Sequence, residues 1–570
     1  MLNGACFIAG GTKLANNLYQ NPYMKQFTFL CLIGLLISFS SLLAQEGKKQ
    51  FTHQDTLRGS IGAGRSWWDV LRYDIEVTPD YTNKSIKGVN TIKFKWLETF
   101  PKSGFMQIDL QQPMIIDSVI FQNDTLPFKR EGNAWFIEWT SPDHSMEDEI
   151  RIVFHGNPRI AVTPPWDGGW IFTKDAKGRP WMTVACQGLG ASVWYPCKDH
   201  QSDEPDNGAS LSMTVPDSLV AVANGRMIDK KSWGNGFTTW KWEVKNPINN
   251  YDIVPYIGKY VNWTEEYKGM KGDLDCSYWV IDYNEEKAKT HFTQAKDMLK
   301  CFEYWFGPYP FYEDSYKLVE TPHLGMEHQS AVAYGNKFMN GYLGMDISGS
   351  GWGKKWDYII VHESGHEWFG NNITANDDAD MWIQEGFTCY SETLFVECNY
   401  GKEAADAYTQ GLRNDIKNDA NVIGPYGVNE EGSGDMYNKG NNIIHTIRQV
   451  INNDSLFRQI LIGLNKEFYH RTIDSKDVEN YISKKSGKDF SKIFDQYLRT
   501  TKIPALEYKL DGKKLQYRWT NTIDGFNMPV KLSDNIWLQP INQWKSIDAK
   551  GDLTKGLSAD RNFYITVKKS

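Results

Sequence analysis

Two histidines four residues apart, with a glutamate after the first, are the part of this sequence whose chemistry is clearest. Residues 362–366 are His-Glu-Ser-Gly-His. On a helix, side chains at positions i and i+4 project from the same face, so His362 and His366 can bind one metal ion together. Glu363 lies beside them, where it can contact a water molecule on that ion without being a ligand. The pattern is typical of zinc hydrolases, and the alternative is a pair of histidines that pack on a helix without metal.

A hydrolytic zinc ion needs a third protein ligand and one open position, and the residues that follow supply a candidate. Glu385 comes after His366 with eighteen residues between them, at the start of a second predicted helix. Glu392 lies seven residues further along the same helix face, where it can hold a ligand imidazole by its second nitrogen. The alternative for Glu392 is an ordinary solvated side chain. Cys389 faces the same side, and we predict an inert buried thiol because a thiolate ligand would close the site to water.

The sequence around these residues resembles the gluzincin type of zinc aminopeptidase, the relatives of membrane alanyl aminopeptidase and leukotriene hydrolase. The resemblance covers nearly all of residues 65–510. It includes Glu-Trp-Phe-Gly-Asn-Asn at 367–372, Trp-Ile-Gln-Glu-Gly-Phe at 382–387, Tyr-Pro-Cys-Lys-Asp at 195–199 and Val-Ala-Asn-Gly at 222–225. It implies one zinc ion per chain, held by His362, His366 and Glu385, with Glu363 as the general base.

Two further segments are similar to the part of the family's site that binds the substrate. Residues 324–328 are Leu-Gly-Met-Glu-His where the family usually has Gly-Ala-Met-Glu-Asn. The resemblance implies that Glu327 binds the α-ammonium of the substrate and that Gly325 and Met326 line the substrate site. Gln187, in Ala-Cys-Gln-Gly, stands where the family has a second partner for the amine. The three departures from the family's pattern bear on specificity more than on the chemistry.

One tyrosine completes the predicted machinery. Tyr437 lies in Met-Tyr-Asn-Lys-Gly at 436–440, which resembles the family's Tyr-x-Lys-Gly segment. A phenol aimed at the scissile carbonyl stabilises the oxyanion of a tetrahedral intermediate. Without the resemblance, a structural role would be the default interpretation, because the chain has 29 tyrosines.

The resemblance implies an aminopeptidase that acts on peptides with a free N-terminus, and three alternatives remain open. A thermolysin-like zinc endopeptidase shares the zinc helix, although Glu327 argues against it. An epoxide hydrolase would use the same site, but nothing in the sequence indicates a lipid pocket. A non-catalytic peptide-binding module on this fold would be expected to lack a ligand or the base, and all of these positions are filled. The sequence makes no prediction of the oligomeric state.

The periodicity of apolar residues predicts three blocks that position these residues. From about Trp67 to Trp263 apolar and polar residues alternate, which predicts a large antiparallel β sandwich or saddle. From about Lys287 to Leu498 the period is helical, with N-cap candidates at Asp454-Ser455 and Asp474-Ser475. After Pro504 the pattern is β again, starting with a hairpin over 508–519. We therefore predict a multidomain α+β fold: an N-terminal β domain (45–265), a thermolysin-like, α-rich catalytic domain (266–503) and a small C-terminal β domain (504–570).

The first 44 residues are predicted to be a leader rather than part of the fold. Met24-Lys25 precedes an apolar run from Phe27 to Ser40, and a small residue precedes Gln45, as in a secretory signal peptide over 24–44. The alternative is a membrane anchor. We expect an exported protein, periplasmic or extracellular, with no stable membrane span once the leader is removed. Many relatives continue with a large helical domain where this chain has about seventy β-patterned residues after Leu498, so we expect a more open active site.

Charge and cysteine content narrow the function classes further. The chain has 570 residues with 62 Lys+Arg against 70 Asp+Glu, a net charge of −8. The leader carries two basic and no acidic residues, so its removal changes the net charge from −8 to −10. An acidic protein of this kind is not expected to bind nucleic acid. The six cysteines after the leader are too few for a disulfide scaffold. Buried free thiols are expected; the alternative is one or two bridges, for which Cys186 and Cys197 are close in sequence but the sequence does not give the pairing.

Overall fold

Three successive blocks of secondary structure extend from His53 to Ser570. The computed structural model describes residues 50–97, 104–139, 146–533, 535–549 and 557–570. The predicted leader, residues 1–44, lies outside the described residues. A β block, a helix-rich block and a short β block follow one another, which confirms the predicted fold class. The domain boundaries stay predictions; the one at 265/266 falls inside a strand.

Among its described residues, the first block contains one short α-helix and fifteen strands. Their bounds are α1 His53–Gly59, β1 Trp68–Asp80, β2 Ser85–Trp96, β3 Phe105–Asp109, β4 Ile115–Phe121, β5 Asp124–Leu126, β6 Phe128–Glu131, β7 Ala134–Glu138, β8 Glu147–Gly156, β9 Gly169–Lys174, β10 Pro180–Ala185, β11 Ala209–Pro216, β12 Val220–Val222, β13 Arg226–Ser232, β14 Phe237–Val244 and β15 Tyr256–Gly258. They form an eight-stranded sheet (β13-β14-β11-β1-β2-β8-β4-β5), a four-stranded sheet (β12-β15-β10-β9) and a three-stranded sheet (β3-β7-β6).

The large sheet shows both the strength and the limit of the alternating pattern. In β1, Tyr73, Ile75 and Val77 are buried whereas the residues between them are more exposed, as the period of two predicts. The predicted antiparallel pairing is correct for most neighbours but wrong for β1 and β11, which pair in parallel from Tyr73–Ala209 to Val77–Met213. Alternation reports which face of a strand is buried and carries no information on direction. Parallel pairing requires a long connection, and here more than a hundred residues separate the two strands.

The second block begins with a sheet that the helical periodicity did not predict. Its strands are β16 Tyr260–Gly269, β17 Gly272–Ile281, β18 Tyr316–Glu320, β19 Gly325–Met326 and β20 Val332–Tyr334, in the order β16-β17-β18-β20-β19. Alternate residues of this sheet enter different hydrophobic cores. Tyr278 and Val280 pack in the core of the helical block, whereas Trp279 and Ile281 pack in the core of the first block. The five-stranded sheet is therefore the layer between the two cores.

Nine helices and one strand pair make up the rest of the second block within its described residues. They are α2 Glu285–His291, α3 Gln294–Phe306, α4 Tyr358–Gly365, α5 Trp382–Tyr400, α6 Lys402–Leu412, α7 Asn438–Ile451, α8 Asp454–Glu467, α9 Ser475–Ser486 and α10 Ser491–Leu498, with β21 Ile373–Ala375 pairing β22 Arg471–Ile473. The N-cap predicted at Asp474 is confirmed, and Asp477 completes a capping box there. The cap of α8 is one residue earlier than predicted, because the side chain of Asn453 accepts the hydrogen bond of a first-turn N–H.

The third block is a small β structure. Its strands are β23 Ala505–Asp511, β24 Lys514–Thr520, β25 Val530–Lys531, β26 Trp537–Leu538, β27 Lys545–Asp548 and β28 Thr566–Lys569. The predicted hairpin is formed by β23 and β24, within a four-stranded sheet (β27-β24-β23-β28). Leu506 and Trp519 of this hairpin are buried in the same hydrophobic core as the catalytic helices.

Among the described cysteines, four are buried free thiols and two form one bridge. Cys186 and Cys197 are both free and buried, so no bridge joins them. Cys389 is likewise a buried free thiol, as predicted. The pair that does form a disulfide is Cys301 of α3 with Cys398 of α5, which lie 97 residues apart. Within the described ranges, no helix has the length and apolar character that crossing a membrane requires.

Candidate active site

The helix with the histidine pair begins at an acidic cap. The side chain of Asp357 accepts hydrogen bonds from two backbone N–H groups in the first turn of α4. His362 lies on this helix, and His366 follows its last residue with a helical φ of −62°, so the i, i+4 spacing is kept. The two imidazoles are buried, and their ring centroids are 5.0 Å apart. Ligand atoms of His362, Glu363 and His366 all lie within 4.8 Å of one another.

An interruption of the helical conformation fixes the orientation of the His366 imidazole through its second ring nitrogen. His366 Nδ1 lies 3.0 Å from the carbonyl oxygen of Phe369. A carbonyl oxygen can only accept, so Nδ1 carries a proton, and in the neutral ring Nε2 is the nitrogen that keeps its lone pair. The carbonyl is available because the helical conformation ends there, with Gly370 at φ +132°. A Cβ at Gly370 would lie 3.0 Å from His366 Nδ1, so both the backbone conformation and the space favour glycine.

A buried carboxylate fixes the second nitrogen of His362. Glu392 Oε1 lies 2.6 Å from His362 Nδ1, and Glu392 Oε2 accepts a hydrogen bond of 2.6 Å from Tyr408 Oη. Glu392 and Tyr408 have no exposed surface, so both oxygens of the carboxylate are fixed. This is the position that the helix periodicity predicted for Glu392. The nitrogen that remains on His362, Nε2, is the one on the side of Glu385.

Glu385, in the first turn of α5, brings an oxygen to both imidazoles. Its Oε2 lies 3.6 Å from His362 Nε2 and 3.4 Å from His366 Nε2. Burial acts to raise the pKa of Glu385, but positive charge on the two histidines outweighs it and lowers the pKa. Among the described residues, no donor satisfies this buried Oε2. Two nitrogens and one such oxygen are a donor set that suits Zn²⁺, so these three residues fit the metal.

A cavity of about 420 Å³ opens on this side of the three predicted ligands. Glu363 lines it and is 9% exposed. Burial raises the pKa of Glu363 to about 7, against the effect of His362 and with the help of Glu327. A carboxylate with a pKa near neutrality can both take and return a proton.

The end of the cavity predicted to bind the amine contains Glu327. This carboxylate is 3% exposed, and burial raises its pKa. Tyr251 Oη donates a hydrogen bond of 2.9 Å to Glu327 Oε1, and Asn371 Nδ2 donates one of 2.8 Å to the Glu327 carbonyl. Gln187, from the β block, lines the same cavity, with its Nε2 3.9 Å from the sulfur of Met381. Tyr251 was not predicted from the sequence, because it lies 76 residues from Glu327 and in no motif.

The two residues before Glu327 form the short edge strand β19 and line the cavity. A Cβ at Gly325 would lie 2.8 Å from both Glu363 Oε1 and a methyl carbon of Ile359. The alanine that the family usually has here would therefore require a shift of the base or of α4. Met326 is 7% exposed and packs in the core of the first block.

Tyr437 lies just before α7 and also lines the cavity. Its ring stacks on the ring of His362, with centroids 6.1 Å apart at 26°. Burial raises the pKa of Tyr437 well above its usual value, and Glu385 adds to the effect. Helix α7 reaches this position through a close contact, since a Cβ at Gly440 would lie 2.7 Å from Gly386 Cα of α5. Two glycines at one helix crossing thus set the distance between Tyr437 and the zinc motif.

The structure brings all but one of the predicted site residues to the lining of one cavity; Glu392 lies behind His362. The lining also contains Leu324, one of the three departures from the family's pattern, and residues that were not predicted from the sequence, namely Pro165, Trp166, Gly188, Tyr342, Tyr358, Ile359 and Glu431. The signals for two of them were present but unused. Tyr358 is four residues before His362, hence on the same helix face, and Glu431 is six residues before Tyr437.

Comparison with known proteins shows which family this fold and site resemble. Residues 290–497 match the peptidase family M1 domain. The probable aminopeptidase 2 of Sulfurisphaera tokodaii is 23% identical over 460 residues, 78% of this chain and 55% of that protein. Aminopeptidase M1 of Arabidopsis thaliana is 24% identical over 363 residues, 61% of this chain and 39% of that protein. The chain thus spans about half the length, or less, of these curated relatives.

Solved structures agree in fold. A mutant of the M1 zinc metallopeptidase of Deinococcus radiodurans, bound to a Tyr-Ser-Ala substrate, has a TM-score of 0.62 and 19% identity, with coverage of 76% of this chain and 95% of that one. A mutant two-domain M1 zinc metallopeptidase bound to L-arginine gives a TM-score of 0.59 at 19% identity and covers 74% of this chain and 92% of that one. The chain is therefore similar to gluzincin aminopeptidases of peptidase family M1, and its residues 290–497 match the domain of that family.

Proposed function

We propose that the protein is a zinc-dependent aminopeptidase that removes residues from the N-terminus of peptides. The observation that carries this proposal is the buried carboxylate of Glu327 in the same cavity as His362, Glu363 and His366. A fixed carboxylate beside a hydrolytic centre binds the free α-ammonium of a peptide and leaves room for one residue before the bond to be cut. An endopeptidase would need this end of the cavity to admit further residues.

Three residues are proposed to hold the metal: His362, His366 and Glu385. When bound there, zinc supplies Lewis acidity to the attacking water and to the scissile carbonyl. The chain keeps both imidazoles in the required tautomer through the Phe369 carbonyl and the Glu392 carboxylate.

The remaining steps belong to side chains of the cavity. Glu363 takes the proton of the attacking water and delivers it to the leaving amine, for which its pKa of about 7 is suitable. Tyr437 stays protonated because of its raised pKa, so its phenol donates a hydrogen bond to the oxyanion. Glu327 and Gln187 bind the substrate ammonium and thereby place the first peptide bond over Glu363.

The proposal is tested with free and N-acetylated aminoacyl anilides on metal-analysed protein, with and without a chelator. We expect chelator-sensitive hydrolysis of the free forms alone. Glu363→Gln should keep one zinc ion per chain and lose about 10²- to 10⁴-fold in kcat. Glu286→Gln is the matched control, because this side chain is 90% exposed on α2, and it should behave as the wild type.

Other outcomes separate the alternatives. Equal cleavage of acetylated and free substrates would support an endopeptidase. Full activity in Glu363→Gln would remove that residue as the base, and zinc binding without turnover of any peptide or epoxide would support a binding module. Glu327→Ala should impair free substrates in both kcat and KM with the zinc content unchanged, and undiminished cleavage would remove Glu327 from the amine site.

We also propose that the protein is exported through a signal peptide at residues 24–44. The apolar run in that segment supports this proposal. The disulfide between Cys301 and Cys398 is consistent with an oxidising compartment. The mass of the mature protein from its native host tests it, with cleavage after Ala44 as the expected result and an intact N-terminus as the contrary one.

A further inference from the structure

One charged side chain of the catalytic cavity has no role in the mechanism above. The lining contains four glutamates, namely Glu327, Glu363, Glu385 and Glu431, and no lysine or arginine among the described residues. Three of them are assigned to the substrate ammonium, the attacking water and the metal. Glu431 is left over. Within the described part of the chain, no hydrogen bond or ion pair reaches its carboxylate.

The position of Glu431 relates it to the first residue of a bound peptide. It lines the same cavity as Glu327, which is proposed to bind the ammonium, and Tyr437, which is proposed to face the carbonyl. The ammonium, the carbonyl carbon and the first side chain all branch from one Cα. A side chain whose Cα is held between Glu327 and Tyr437 therefore enters the remaining space of the cavity, where Glu431 lies.

The space beyond Glu431 suits a long side chain. A second depression of about 440 Å³ continues from the cavity and shares Glu431, Gly188, Pro165 and Trp166 with it. Trp166 is 71% exposed at this shared edge, so the face of its ring is available to a cation.

The charged side chains that line the second depression are all acidic. Its lining includes Asp378 and Glu430 and contains no lysine or arginine in the described residues. Burial raises the pKa of Glu431 to about 7, and the nearby charge of Asp378 adds to it. The positive charge of Arg58 acts to lower the pKa of Asp378, but Arg58 lines neither the cavity nor the depression. A cation that enters here relieves the repulsion among these carboxylates.

We infer that Glu431 determines specificity by binding the cationic side chain of the first residue, so that peptides beginning with arginine or lysine are the preferred substrates. This inference rests on the proposed aminopeptidase function. The guanidinium or ammonium group pairs with Glu431, and the aliphatic part of the side chain passes Trp166. No new chemistry is required, because the same bond is cut by the same groups.

The test compares arginyl with citrullinyl anilide, since citrulline has the same shape and no charge, and lysyl with norleucyl anilide for the same reason. For the zinc-loaded wild type we expect kcat/KM to be about 10- to 100-fold higher for the charged member of each pair, as a charge-assisted hydrogen bond predicts. In Glu431→Gln the ratio within each pair should fall to near 1. Glu286→Gln should keep the wild-type ratios. Inhibition of the wild type by free arginine, but not by citrulline at the same concentration, is the expected result that needs no variant.

The contrary outcomes are distinct. Equal rates for arginine and citrulline in an active wild type would overturn the inference and leave the aminopeptidase function intact. A loss in Glu431→Gln that is the same for all four substrates would place Glu431 in the amine site instead. Hydrolysis of no aminoacyl substrate at all would refute the proposed function, and the inference with it.

Discussion

The phenol of Tyr251 offers the sharpest test of how the amine site is built. Its hydroxyl donates a hydrogen bond of 2.9 Å to Glu327 Oε1. Tyr251 is 6% exposed and Glu327 is 3% exposed. Tyr251→Phe removes this donor and leaves the shape of the site nearly unchanged. A hydrogen bond to a buried charged group contributes about 1.5–3 kcal/mol, which corresponds to about 10- to 150-fold. Because the substrate ammonium supplies donors of its own to the same carboxylate, we expect a loss at the lower end of this range, about tenfold in kcat/KM.

The same change has a predictable pH signature. The hydroxyl of Tyr251 lowers the pKa of Glu327, against the larger effect of burial, so its loss raises that pKa further. A carboxyl with a higher pKa is neutral up to a higher pH and then binds an ammonium less well. The acid limb of the kcat/KM profile should therefore move to higher pH, by about 1 unit for a loss of 1.4 kcal/mol. Zinc content should not change.

The assay is the kcat/KM profile of an alanyl anilide from pH 5 to 9 for wild type, Tyr251→Phe and a matched control. Tyr497→Phe serves as the control, because Tyr497 is also buried and donates a hydrogen bond, in its case 2.6 Å to the Tyr564 carbonyl, away from the cavity. The control should lose stability and keep the wild-type profile. A Tyr251→Phe profile that matches the wild type within twofold at every pH would refute the reasoning.

Three further predictions follow from other contacts. Glu392→Gln should weaken zinc binding by about 10- to 100-fold in a chelator competition, because it disturbs the orientation of His362, and unchanged affinity would argue against this role. Gly440→Ala should lower stability by about 1–3 kcal/mol in urea unfolding and reduce kcat, since its Cβ would lie 2.7 Å from Gly386 Cα; a stable, fully active variant would show that the helix crossing tolerates the shift. Reduction of the Cys301–Cys398 disulfide, which closes 97 residues, should cost about 2–4 kcal/mol of stability, and an unchanged melting temperature after reduction would contradict this.

Residues close together on one helix were the part of the site that the sequence could predict. His362 and His366 share a face through the period of 3.6, and the same period places Glu392 on the side of Glu385. Both relations need only a regular helix. The sequence could not show that the helix breaks at Gly370, because the break depends on a φ of +132° that offers the Phe369 carbonyl to His366.

Fold prediction had the same limit. Alternation predicted the strands of the first block but not the parallel pair of β1 and β11. The helical period predicted from about Lys287 onward hid strands β18 to β20 of the five-stranded sheet, which are only two to five residues long and buried on both faces. A strand with a core on each side has no polar alternation, so its period is lost.

The layer between the two cores also explains why the amine end of the site was the hardest to predict. Glu327 follows directly after β19, at the edge of the five-stranded sheet, and its partner Tyr251 comes from the β block on the other side. Gln187 reaches the cavity from that block as well. Residues that meet across a layer have no shared period, so only the folded chain brings them together. It follows that the metal site, built within the helical block, and the recognition site, built across the layer, are separable. Substitutions in the β core should change substrate preference before they change zinc binding.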